Sequence, residues 1–167
     1  QNSVRLNYMS IKSSQILFTP QQIFHLIEKN EVTLIDVRDH MFYEEQHIEN
    51  AVNIPEVFYF LSTSSQEGLD TLRTTFESFF SKAGVMHEKR LVFYEDSLTK
   101  RYCGSCRGFW LSQYLGHPDA GILLGGLDAW IKEELPVSQT VPEITPTVFE
   151  ACVQSTLMAT KKDVLKA

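Results

Sequence analysis

Leu91-Val92-Phe93-Tyr94-Glu95-Asp96, then Cys103-Gly104-Ser105-Cys106-Arg107, then Gly121-Ile122-Leu123-Leu124-Gly125-Gly126-Leu127-Asp128-Ala129-Trp130 decide how this chain folds. The first four residues are an apolar run of strand length, broken by Glu95-Asp96 into a polar loop. From Cys103 a helical pattern takes over, with Trp110, Leu111, Tyr114 and Leu115 at i, i+1, i+4 and i+5. Gly116-His117-Pro118 stops that helix, because Gly accepts the left-handed cap and Pro cannot continue the ladder. The second apolar run then leads into a glycine turn. Strand, loop, helix, strand and glycine turn make a βαβ unit with a parallel pair. In such a unit chemistry gathers beyond the carboxyl end of the strand, where backbone N–H groups and the helix N-terminus converge.

Working outward, Ile16-Leu17-Phe18 reads as a short strand and Thr19-Pro20-Gln21-Gln22 as a helix start. Thr19 is the N-cap, Pro20 takes the first helical position, and Gln22 can reach back to the cap. Ile23, Phe24, Leu26 and Ile27 form the buried stripe, and Asn30 ends the helix. The nearly continuous apolar run Val32 to Val37 is the mark of a strand covered on both faces, with Asp36, Arg38 and Asp39 at its carboxyl end. A short helix is expected through Phe42 to Glu45, then a turn and a short strand closed by Pro55. Ser62 to Gly68 reads as a loop by composition, and Leu69, Leu72, Phe76, Phe79 and Phe80 as a helix capped by Ala83-Gly84. A closing helix runs from about Leu127 to Glu134. Strands alternating with helices imply an α/β domain with a mainly parallel sheet.

The expected organisation is a polar tail over 1–14, the domain over 15–139, and from 140 to 167 a linker punctuated by Pro142 and Pro146. The chain has 167 residues, 43% hydrophobic and 11% aromatic, enough for one domain with a proper core. Net charge is −6, with Lys and Arg scattered, which argues against nucleic acid and anionic membranes as partners but leaves room for a local anion pocket. No apolar run reaches the roughly 18 residues of a membrane span. Three cysteines, an odd number without framework spacing, suit a reducing compartment. A cytoplasmic location is expected, or an organelle matrix if a leader preceded Gln1.

Several segments in series resemble the rhodanese (thiosulfate sulfurtransferase) family: Leu34-Ile35-Asp36-Val37-Arg38, His47-Ile48-x-x-Ala51-Val52-x-Ile54-Pro55, Leu115-Gly116-His117 and Leu124-Gly125-Gly126-Leu127-x-Ala129-Trp130. Together they span roughly Ile16 to Val137. The resemblance implies a five-stranded, mainly parallel sheet with helices on both faces, and no cofactor. Active members carry a cysteine directly after the central strand, whose thiolate takes sulfane sulfur from small sulfur-containing anions inside a cradle of backbone amides. This chain has Glu95-Asp96 there instead, and a longer connection to Gly116. Both features resemble the non-catalytic N-terminal domain of tandem rhodaneses, and Thr147-Val148-Phe149 with Lys161 to Leu165 resembles the lead-in to a second domain.

Cys103 and Cys106 are the candidate catalytic thiols, a C-x-x-C at a helix N-terminus beside Arg107. Helix dipole and guanidinium both lower a thiol pKa there. The plainer reading is an insertion that happens to carry two thiols, one packed under the helix. Cys103 is expected to lie outward and be the most reactive thiol, with Cys106 shielded under the first turn. Arg107 and Arg38 are candidate substrate-binding residues; Arg107 is equally placed to neutralise Glu95 and Asp96. Asp36 and His47 are expected to be structural, with an Asp36–Arg38 ion pair ordering the turn before His47. No metal is expected, since one C-x-x-C supplies two ligands. Tyrosine-phosphatase chemistry needs Cys, five residues, then Arg, and neither Cys103 nor Cys106 has it. Two functions remain: a rhodanese-fold domain that is the structural or regulatory half of a tandem sulfurtransferase, or an active sulfurtransferase or thiol-redox enzyme using Cys103 or Cys106.

Overall fold

The strand β5 (Arg90–Tyr94) lies at the centre of a five-stranded sheet because its side chains alternate between two apolar layers. In the computed structural model, which describes residues 15–97, 99–100 and 103–166, Leu91 and Phe93 face one core cluster and Val92 and Tyr94 the other. The other strands are β1 (Leu17–Phe18), β2 (Val32–Asp36), β4 (Val52–Asn53) and β6 (Ala120–Leu123). Their order is β1-β6-β5-β2-β4, and every pairing is parallel. Parallel neighbours need crossovers, and here helices supply them on both faces. One face packs against α1 (Pro20–Glu28) and α6 (Gly126–Lys132) through Ile23, Leu127 and Trp130. The other packs against α3 (Glu56–Tyr59), α4 (Gln66–Lys82) and α5 (Gly104–Tyr114) through Val57, Phe76, Phe80, Leu111 and Tyr114.

Local chemistry sets the element ends. Thr19 caps α1 with both halves of a capping box, its hydroxyl accepting from Gln22 N and its own N–H donating to the Gln22 side chain. Asn30, at φ 56°, follows that helix in the left-handed region that Asn tolerates. α4 starts within the stretch read as loop: Ser65 accepts from Gly68 N at 3.1 Å, so the serines hold a helix cap. Up to Ser138, two features escaped the sequence reading. One is the short helix α3. The other is an antiparallel ribbon of β3 (His47–Ile48) and β7 (Val137–Ser138), far apart in sequence. The helix expected from Phe42 begins slightly earlier, as α2 (His40–Glu45).

Beyond β7 the chain turns back over α4 and α5. Thr147 N donates to Ser81 O, Cys152 N to Leu115 O and Gln154 N to Tyr114 O. Phe149 is 2% exposed and meets the Phe80 ring edge-on at 5.2 Å. Docking through Val148-Phe149 with Val153 and Leu157 was the expectation; Phe149 docks, but Val148, Val153 and Leu157 are exposed, Val148 at 84%. Ala151 and Met158 join Phe149 in the contact. A short 3-10 turn (Ser155–Leu157) and α7 (Lys161–Lys166) complete the described chain. The tail expected over 1–14 lies outside the described residues. Among the described residues no helix is long and apolar enough to cross a membrane.

Candidate functional site

Glu95 is the first residue after the central strand, and its carboxylate turns inward. Oε2 accepts from Gly104 N at 2.9 Å; Oε1 accepts from Ser105 N at 3.3 Å and from Ser105 Oγ at 2.7 Å. Those amides open α5, where a helix has N–H groups without partners and its positive end. The anion cradle is therefore filled from within by a side chain that is 1% exposed. Burial pushes the Glu95 pKa above its ordinary value, against the bonds from Ser105 and Gly104 that pull it down. The space around it is closed. A Cβ added at Gly104 would meet Val37 Cγ2 at 3.1 Å, Phe58 Cδ2 at 3.3 Å and Glu95 Oε2 at 3.4 Å.

The backbone of the same loop is held from the other side. Leu127 N donates to Glu95 O at 2.8 Å and Asp128 N to Asp96 O at 2.9 Å, so the start of α6 clamps the loop. This approach requires glycine at 126: φ is +61° and a Cβ would lie 2.3 Å from Glu95 O. The pair Gly125-Gly126 thus works as a tight turn before a helix.

Arg38 supplies the positive charge of this end of the sheet. Its Nη2 is 2.7 Å from Asp36 Oδ2, its Nη1 3.3 Å from Asp96 Oδ1, and Nη2 also donates to Gln46 O at 2.6 Å. Burial works against the guanidinium charge, but the bonds and charge of Asp36, with Tyr94 and Asp96, outweigh it and raise its pKa. Arg38 is 3% exposed, tying the ends of β2 and β5 to the turn before His47. His47 stacks on Tyr43 at 3.9 Å, with Nδ1 2.6 Å from Tyr43 O and Nε2 3.1 Å from Thr140 O. It joins α2 to the segment after β7.

Arg107 does not neutralise the loop carboxylates, as the charge balance had suggested. Its Nη2 donates to Phe60 O, and it lines a cleft of about 230 Å³ with Ser62, Thr63, Phe76, Trp110 and Met158. Asp96 pairs with Arg38, and Glu95 is satisfied by α5. The order of the two thiols is also reversed. Cys106 is the exposed one; Cys103 is half-buried at the cap of α5, with φ 60° and ψ 52°. The helix terminus does not activate Cys106: partial burial of its thiol, the neighbouring Cys103 and the Glu95 charge push its pKa up. Gly104 and Ser105, the donors to Glu95, were missed by sequence reasoning. The available signal was a serine two places into a helix facing a carboxylate at a strand end. Among the described residues no group of three or more His, Cys, Asp or Glu could hold a metal ion.

A family model described as "Rhodanese-like domain" matches residues 19–133. The chain is 27% identical over 125 residues to a thiosulfate sulfurtransferase of Cricetulus griseus, covering 74% of this chain and 41% of that protein. It is 27% identical over 124 residues to a 3-mercaptopyruvate sulfurtransferase of Mus musculus, covering 74% and 41%. The crystal structure of SseA from Escherichia coli, titled as a 3-mercaptopyruvate sulfotransferase, superimposes with a TM-score of 0.73 at 21% identity. That match covers 92% of this chain and 61% of the other. The chain thus spans less than half the length of these two curated relatives.

Proposed function

Because the chain belongs to the rhodanese-like domain family, we propose that it is the structural or regulatory half of a tandem thiosulfate sulfurtransferase, without a sulfur-transfer centre of its own. The partner in this reading is a second, catalytic rhodanese domain of the same protein, and the substrates of the pair are small sulfur-containing anions. One observation carries the reading: the Glu95 carboxylate takes the amides of Gly104 and Ser105. Sulfur transfer needs a thiolate at that place to attack the sulfane sulfur, expel sulfite and hold the sulfur as a persulfide. A carboxylate cannot form a persulfide. It also repels an anionic donor by about a kcal/mol at 4 Å even in water, more where solvent is excluded. The reading of a relocated nucleophile is disfavoured, for Cys106 because burial and its neighbours raise its pKa, and for Cys103 because it is half-buried at the cap of α5.

The experiment is thiocyanate formation by the chain alone from thiosulfate and cyanide, in a reducing buffer that suits the cytoplasmic setting. Background rate is the expected result. Activity that disappears in Cys103→Ser or Cys106→Ser would overturn the reading and make the longer loop the active site.

A further inference from the structure

Cys103 and Cys106 do not belong to the Glu95 cradle as donors, yet they bracket it. Gly104 and Ser105, whose amides hold Glu95, are the two residues between them. Cys106 N donates to Cys103 O at 3.1 Å. A turn closed in this way holds its first and last Cα within about 7 Å, which overlaps the roughly 4.4–6.8 Å span of a disulfide. Cys103 is among the groups that act on the Cys106 thiol. Both residues reach solvent. The third cysteine is remote: Cys152 N is bonded to Leu115 O, past the far end of the 11-residue helix α5, about 16 Å along its axis.

We propose that Cys103 and Cys106 form a reversible intramolecular disulfide that locks the segment holding Glu95. The oxidant is a low-molecular-weight disulfide such as oxidised glutathione. The exposed Cys106 loses its proton to solvent and its thiolate attacks one glutathione sulfur, expelling a glutathione thiolate. Cys103, deprotonated in turn, attacks the Cys106 sulfur of the mixed disulfide and expels the second. The protein loses two electrons and two protons; the glutathione disulfide gains both as two thiols. Because the Cys106 thiol is not activated, the pair is a slow switch and no turnover centre. The inference stands apart from the sulfur-transfer reading, since it needs no sulfane sulfur.

The test equilibrates the full chain across a series of reduced-to-oxidised glutathione ratios, quenches with acid, alkylates free thiols and maps peptides. One two-electron transition is expected, with a Cys103–Cys106 link that dithiothreitol reverses and Cys152 left alkylatable. Cys152→Ser should leave the transition unchanged, and Cys103→Ser should convert it to a glutathione adduct on Cys106. In the oxidised chain the Gly104 and Ser105 amides should exchange with deuterium at least roughly threefold more slowly. Stable glutathione adducts on the wild-type pair, links to Cys152 or between chains, or no oxidation at the most oxidising ratio would overturn the disulfide. Equal exchange rates would overturn the lock.

Discussion

The Ser105 hydroxyl donates to Glu95 Oε1 at 2.7 Å, with Ser105 fully buried and Glu95 1% exposed. This bond lies where a strand end meets a helix start. A hydrogen bond to a buried charged group contributes about 1.5–3 kcal/mol. Ser105→Ala should lower stability by about that much in urea denaturation at neutral pH, because Glu95 keeps its two amide donors but loses the hydroxyl. A change below about 0.5 kcal/mol, the scatter of surface substitutions, would show that the carboxylate is not held in this way.

The segment beyond β7 is predicted to be integral to the fold through one aromatic ring. Phe149 is buried against Phe80 and stacks with His87 at 4.8 Å, whereas Val148 points away. Phe149→Ala should cost about 3–5 kcal/mol, and Val148→Ala should stay within about 0.5 kcal/mol. Chemical denaturation of the two variants measures both. Limited proteolysis of the wild type should cut first between Ser138 and Thr147, and Phe149→Ala should extend cutting toward Gln154. Equal effects of the two substitutions would contradict the docking.

His117 makes stability depend on acidity. Burial, with the charge of His87 adding to it, lowers its pKa from the ordinary 6.5 to about 4, against the bond to Met86 O and the charge of Asp119. The folded state therefore binds the proton less well than the unfolded chain. Its stability contribution is present above pH about 6.5 and is lost as pH falls toward 4. On the order of 3 kcal/mol is at stake over that window. Stability measured from pH 7 to pH 4 should fall more steeply in the wild type than in His117→Gln. Parallel curves would place the acid sensitivity elsewhere.

The parts legible in the sequence are those fixed by local periodicity. Leu91 to Trp130 gives a βαβ unit because its runs and stops are contiguous, and the Thr19 capping box needs only neighbours in the chain. The Asp36–Arg38 pair was readable for the same reason. What escaped depends on long-range packing. The β3–β7 ribbon joins two-residue strands roughly ninety positions apart, too short to leave a period. Arg107 was read as an anion binder or a partner of Glu95 and Asp96, but the first turns of α5 aim it at Phe60 O. Cys103 and Cys106 exchanged roles because Cys103 is the left-handed, half-buried N-cap of α5, which leaves Cys106 exposed in its first turn. Likewise, nothing in Val148-Phe149 says which residue faces α4 until the strap is laid down.

The central claim, that the loop after β5 accepts no sulfur, is tested most directly by intact mass after incubation with thiosulfate and, separately, with 3-mercaptopyruvate. With Glu95 in the cradle and the Cys106 thiol raised, the chain is predicted to leave both incubations with its mass unchanged. A retained sulfur atom that is released by cyanide and maps to Cys103 or Cys106 would contradict the account.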